Sequence, residues 1–311
     1  MSATLITLSE FLRQYDVALE WLHRYGVRSH GTRLAAYRRI IARAAEDEAR
    51  GKVDHQQRPE LLNSLIEASE IIEIAQIDEA HLGVTSVPNK LRRISGGPET
   101  MAPEGFDPAR DYAFEFHTAV VLQREEEFGG FSLQDGDLTV GPKRYPAECK
   151  RVSSLNSLRN RLRGGKDKLN KLLEGGSQPG VIVVDLTRPI RMAHGQIVAV
   201  SDVKFTHQAE QRLIAYLASH VMTEQNIETL TCPSVLGVIA RCLSAGIAGD
   251  QANIRRSVSW QACSIHADGS AEDELFRGIA RAFGPGELRE GTREEIVDAT
   301  AQIEVVPRRG R

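Results

Sequence analysis

Apolar residues return at helical spacing through the first 95 positions of the chain. Between Leu8 and Tyr25 they are Phe11, Leu12, Tyr15, Val17, Leu19 and Leu22, with Thr7 or Ser9 available as an N-cap. A second helix is expected from Gly31 to Arg50, basic early (Arg33, Arg38, Arg39, Arg43) and acidic late. A third opens at Pro59 and continues through Leu61, Leu62, Leu65, Ile66, Ile71 and Ile72. Gly and Pro then crowd into Ser95 to Gly105, which reads as a linker. Asp111 to Glu127 is helical in pattern, with Phe114, Ala119, Val121 and Leu122 on its apolar face, and Phe128 to Leu133 follows as a short strand. From Asp135 to Arg151 the pattern becomes two short strands around a Gly-Pro turn. A basic helix is expected from Leu155 to Leu173, with a kink or break at Gly164-Gly165. Val181 to Val184 reads as a buried strand. Beyond it are strand-like Gln196 to Val203, a helix from His207 to Glu224, and a strand or buried helix from Ser234 to Leu243. A strand at Val258 to Ile265 and a helix at Ala271 to Phe283 complete the series. The implied division is a helical N-terminal domain at 1–95, a linker at 96–108, an α/β domain at 109–285 and a tail at 286–311.

Composition sets outer limits on this picture. A chain of 311 residues, 41% hydrophobic and 26% charged, can bury a sizeable core and accommodates two domains. No apolar run has the length of a membrane span, and the N-terminus lacks a basic region followed by a long apolar one. The four cysteines, Cys149, Cys232, Cys242 and Cys263, lack zinc-site spacing and are expected as reduced thiols of a cytoplasmic protein. His207, His220 and His266 show no metal-ligand spacing, and no phosphate-binding loop, dinucleotide fingerprint or Ser-His-Asp context is present. The charge is uneven. The chain carries a formal net charge of −3, yet Lys143 to Lys171 holds ten Lys or Arg against two acids. Such a local positive field suits a phosphate backbone. Aromatic residues are not interleaved with it, which argues against binding single strands by base stacking.

The chemistry concentrates in Glu148-Cys149-Lys150. Side chains alternate along a strand, so Glu148 and Lys150 share one face and Cys149 takes the other. A paired strand can bring Asp137 beside them. Carboxylates supply hard oxygen ligands for Mg²⁺, and a neighbouring ammonium steadies developing negative charge. The acid-x-Lys tripeptide alone is weak, because about two are expected by chance in a chain of this length. A second, Asp202-Val203-Lys204, follows a strand-like run with Asp185 and Glu174 upstream. That window lacks a strand between Glu174 and Asp185, and it lacks the basic flank.

In element order and motif, residues 110 to 190 resemble the PD-(D/E)xK nuclease superfamily. The resemblance implies an α/β fold with a restriction-endonuclease-like core, α-β-β-β-α-β, whose mixed sheet is flanked by helices. The N-terminal helices would be an addition to that core. Position by position it implies Glu115, Asp137, Glu148 and Lys150 as catalytic residues, with Asp137, Glu148 and Glu115 holding Mg²⁺ and Mn²⁺ substituting. Asp135 is an alternative to Asp137, and the residue before Asp137 is Gly136 where the family often has Pro. A helix Lys after the motif would be Lys166 or Lys168. Arg151, Arg159, Arg163, Lys166 and Lys168 are the expected nucleic-acid contacts. The implied activity is hydrolysis of phosphodiester bonds, of DNA, in restriction, repair or phage defence. A homodimer or a partner protein would use the N-terminal helices. The competing expectation is a nucleic-acid-binding or interaction protein that keeps the fold without catalysis.

Overall fold

The computed structural model describes residues 7–51, 59–78, 86–98, 107–123, 131–134, 137–248 and 253–283. Three helices open it: α1 (Leu8–Arg24), α2 (Arg33–Ala49) and α3 (Pro59–Ile74). Thr7 caps α1, its hydroxyl accepting from the Glu10 N–H. A short helix, α4 (Ser86–Arg93), precedes α5 (Pro108–Gln123). Then come β1 (Phe131–Gln134), β2 (Asp137–Val140), β3 (Tyr145–Arg151), α6 (Leu155–Glu174) and β4 (Gly180–Asp185). The expected helix, three strands, helix and strand are therefore present in that order. The remainder is α7 (Thr187–His194), β5 (Ile197–Ala199), α8 (Asp202–Tyr216) with a π-helical turn at Leu217–Val221, and α9 (Glu224–Leu230). Last come β6 (Val235–Ala248), β7 (Asn253–Ser264) and α10 (Ala271–Arg281). Residues 124–130 and the tail from 284 lie outside the described residues, as do 99–106 of the expected linker.

One mixed sheet of seven strands organises these elements. β1, β2 and β3 form an antiparallel meander, and β4 lies parallel to β3 after the α6 crossover. β4 is parallel to the first half of β6, β5 is parallel to the last residues of β6, and β7 is antiparallel along nearly all of it. Each face of the sheet is covered by helices. On one side, residues of α1 to α5 and α10 share a continuous hydrophobic cluster with Ala147, Val181, Val183, Leu236 and Ile239. On the other, α6, α7 and α8 pack on Ile182, Val184, Val238 and Ala240. The alternation of Val181 to Val184 between the two clusters is what a strand buried on both faces requires. The N-terminal helices thus bury their apolar stripes in the same core as the sheet.

Several expected boundaries move, each for a local reason. Gly164-Gly165 does not break α6. A Cβ at Gly165 would sit 3.2 Å from Ile182, so this glycine lets the helix lie close on β4. The strand expected from Gln196 to Val203 is only three residues long. Ser201 caps a helix instead, its hydroxyl accepting from the Lys204 N–H, so Asp202 and Lys204 belong to the first turn of α8. The second acid-x-Lys match is consequently helical, and its Asp202 is paired with Arg255 of β7. The segment from Ser234 to Leu243 is a strand, not a helix, and runs on to Ala248.

Candidate functional site

β3 carries the motif. Pairing of Ala147, Glu148, Cys149 and Lys150 with Val181, Ile182, Val183 and Val184 fixes the alternation of side chains. Cys149 packs against the cluster on the α5 face, where burial raises its thiol well above the ordinary value. Glu148 and Lys150 share the other face. Glu148 is only 7% exposed, and its Oε1 is in contact with the Lys150 ammonium. Its second oxygen, Oε2, lies 2.8 Å from Lys168 Nζ on α6. Between Lys166 and Lys168, Lys168 is the one that meets the motif acid.

The other two expected ligands approach from separate elements. Leu138 pairs with Ala147, so one further step of the β2–β3 register sets the Asp137 backbone opposite Glu148. The Asp137 side chain, and Asp135, lie outside the described residues. Glu115 comes from α5 and is held by Lys90 of α4 at 2.7 Å. Burial pushes the Glu115 carboxyl above its usual range and the negative charge of Glu148 adds to this, while Lys90 and Lys168 pull the other way. Lys90 was not legible in the sequence. It stands in the basic run Lys90-Leu91-Arg92-Arg93, and nothing in its spacing reveals a reach to Glu115.

In kind, these donors fit a hard divalent cation: carboxylate oxygens, shielded from water, with only lysine ammoniums as partners. In number, Glu115 and Glu148 are two. Among the described residues no group of three or more His, Cys, Asp or Glu side chains is arranged to hold a metal ion.

Compared with family models, curated proteins and solved structures, the chain matches none.

The basic run divides by what each residue touches. Arg159, Arg163 and Lys171 of α6 are exposed and Lys166 is half-buried, while Lys143 and Arg144 are exposed in the turn before β3. Arg161 is tied to Asp111 at 3.3 Å. Arg151 corrects the sequence reading. It is 6% exposed, on the α3–α5 face of β3, and it pairs with Glu70 and Asp185. It has no surface to offer a nucleic acid. Arg33, one of the early basic residues of α2, is likewise buried, donating to the carbonyls of Ile94 and Gly96 and to Glu67.

Arg151 belongs to a buried charge ladder. Register places Arg151 beside Asp185 and Asp185 beside Arg241, on three adjacent strands. Asp185 Oδ2 lies 2.8 Å from both guanidiniums, and Glu70 of α3 covers the row, accepting from both arginines. Arg241 also donates to His117 Nδ1 at 2.7 Å, which leaves His117 Nε2–H to donate to Glu73. Beside it Glu67 accepts from Arg33 and Arg110. A polar ladder was invisible in the apolar reading of these strands, because β4 and β6 each contribute a single charged residue, Asp185 and Arg241, among apolar neighbours.

Among the described residues no helix is long and apolar enough to cross a membrane.

Proposed function

We propose that this chain is a Mg²⁺-dependent nuclease that hydrolyses phosphodiester bonds of DNA, built on a restriction-endonuclease-like core. One observation carries the reading. Glu148 and Lys150 lie side by side on β3 and are joined by Lys168 from the following helix, while the β2 register sets the Asp137 backbone opposite Glu148. The helix, three strands, helix and strand order around them supports the same reading.

Glu148, Asp137 and Glu115 would hold the cation, with Mn²⁺ able to substitute for Mg²⁺. When bound, such an ion polarises a phosphoryl oxygen and acidifies water. Lys150 keeps an ammonium on the Glu148 carboxylate, where it orients an attacking water and offsets the charge that grows on the phosphate oxygens. Lys168 grips the second Glu148 oxygen and so fixes the carboxylate plane. Arg159, Arg163 and Lys166 supply backbone phosphate contacts from α6.

The test is cleavage of supercoiled, linear and single-stranded DNA, with an RNA control, in Mg²⁺, in Mn²⁺ and in EDTA. Metal-dependent cutting of DNA is expected, and no cutting of any substrate would remove the proposal. A second reading has its own support: both Glu148 oxygens and Glu115 already meet ammonium groups, so these acids are neutralised without a metal. A silent nucleic-acid-binding protein would hold DNA equally well in EDTA and would cut nothing.

Binding itself has a measurable signature. Arg159→Ala with Arg163→Ala should weaken DNA retention about equally for all sequences. Each lost phosphate contact should flatten the dependence of log K on log salt by about 0.9. Fluorescence anisotropy across a salt series measures both. Arg151→Ala should leave that slope unchanged, and a slope that falls with Arg151 but not with α6 would misplace the interface.

A further inference from the structure

A cavity of about 370 Å³ opens between α2, α3 and the start of α7, over the charge ladder at the end of β4. Its floor is the charge ladder, with Arg110, Arg151, Glu67, Glu70 and Asp185 lining it. The floor balances itself. Glu67 is matched by Arg33 and Arg110, Glu70 and Asp185 by Arg151 and Arg241, and Asp107 by Arg110. Four carboxylates thus face four guanidiniums.

Two further arginines on the wall have no such match. Arg188 and Arg191 sit one turn apart on α7, and both line the cavity. Arg191 donates only to the Asn63 side chain, at 3.0 Å, and Arg188 has no hydrogen-bond or ion-pair partner among the described residues. The remaining carboxylate of the lining, Glu60, is exposed at the rim. Burial draws both guanidiniums below the usual arginine value, and for Arg188 the nearby Arg191 and Arg110 add to the effect. Glu67 pulls both the other way, but its oxygens are already taken by Arg33 and Arg110. Two desolvated cations are thus left short of direct counter-charge, an unfavourable arrangement that a bound anion relieves.

We propose that this cavity binds a small phosphate monoester, with its phosphoryl group held by Arg188 and Arg191. A phosphoryl group carries about −1.5 to −2 charges, which matches the two unmatched guanidiniums, and the planar guanidinium fork suits its oxygens. Ile40, Ile66, Tyr37 and Leu243 give the cavity an apolar wall for the organic part. The volume is in the range of small-molecule sites. This site is independent of the nuclease reading, since its lining includes none of Glu115, Asp137, Glu148, Lys150 and Lys168.

Calorimetric titration in EDTA, at physiological salt, tests it with inorganic phosphate, ribose 5-phosphate, ribose and a 5′-phosphorylated oligonucleotide. Wild type is expected to bind ribose 5-phosphate but not ribose. Arg188→Gln and Arg191→Gln should each weaken binding about tenfold or more, and the pair should abolish it. Arg188→Lys should recover part of the loss, because charge returns without the fork. Arg281→Gln, at an exposed position at the end of α10, should change nothing. Binding of the oligonucleotide alone, lost in the same variants, would assign the phosphoryl group to a nucleic-acid end. The proposal fails if no phosphate compound binds, or if the doubly substituted protein, shown folded by circular dichroism, binds as well as wild type.

Discussion

Glu148→Ala and Lys150→Ala are each expected to lower metal-dependent DNA cleavage by roughly 10³-fold, while Lys204→Ala leaves it unchanged. Removing one preorganised electrostatic group from a reaction of this kind costs on the order of 10²–10³ in rate, and a lost ligand adds to that. Glu148 meets two ammoniums at once, so its removal also takes from Lys150 and Lys168 the carboxylate that they share. Lys168→Ala should be milder, about tenfold, because Lys150 still holds the other oxygen. Lys204 is exposed on the first turn of α8, and its motif acid Asp202 is engaged by Arg255. Circular dichroism separates lost chemistry from lost fold. Should Lys204→Ala alone silence the protein, the β3 assignment is wrong.

Asp185→Asn should destabilise the fold by about 3–5 kcal/mol, the loss typical when one partner of a buried ion pair is removed. Asp185 is 2% exposed and Arg241 is fully buried, so the substitution leaves Glu70, with Glu67 3.8 Å from Arg151, to compensate Arg151 and Arg241 in a medium where water cannot help. Thr187, whose N–H and hydroxyl both donate to Asp185 Oδ1, would then meet an uncharged and weaker amide acceptor. The exposed pair Arg38–Asp16 supplies the contrast, and Asp16→Asn should cost no more than about 1 kcal/mol. Urea unfolding measures both, with an unchanged m-value as the check on two-state behaviour. A loss below about 1 kcal/mol for Asp185→Asn would mean that water reaches the ladder.

Acid should act on the same network. Burial alone would raise the Glu67 carboxyl, but Arg110, Arg33 and Arg151 more than reverse this and hold it at about 2. Asp185 is shifted in the same direction by Arg241 and Arg151. A depressed folded value adds stability above the unfolded carboxylate pKa near 4, and that contribution disappears as pH falls through the folded one. Wild type should therefore lose stability steadily from about pH 5 to pH 2, and Glu67→Gln should flatten that slope.

Much of the architecture around the motif was legible because each element announces its own period. Leu158, Leu162 and Leu169 mark α6, the run Val181 to Val184 marks β4, and Gly-Pro separates β2 from β3. Where two signals competed, the stronger-looking one misled. Val198 and Val200 alternate like a strand, but the Ser201 hydroxyl at the N-cap starts a helix one residue later. α7 escaped notice because it has eight residues, with Pro189 among them. Glu148 beside Lys150 follows from strand alternation alone. The same alternation puts Arg151 with Cys149 on the core side, so the burial of Arg151 was implicit in the motif and was hidden by counting it with the basic run. Lys90 and Lys168 reach their acids through tertiary packing, which local spacing does not encode.

The ladder of Arg151, Asp185 and Arg241 also acts as a registration pin for the three parallel strands β3, β4 and β6. Apolar strands slide past one another at little cost, since one valine replaces another. A one-residue slip of β3 would carry Arg151 into the apolar layer under α6 and set Val152 or Lys150, in place of the guanidinium, beside Asp185. That penalty rejects misaligned sheets while the chain is still folding. Because Glu148 is three residues before Arg151 and on the opposite face, whatever aligns the arginine also aligns the acid. Replacing the whole ladder with well-packed leucine and methionine could therefore yield a protein that melts higher yet samples several strand alignments, only one of which presents Glu148 to Lys168.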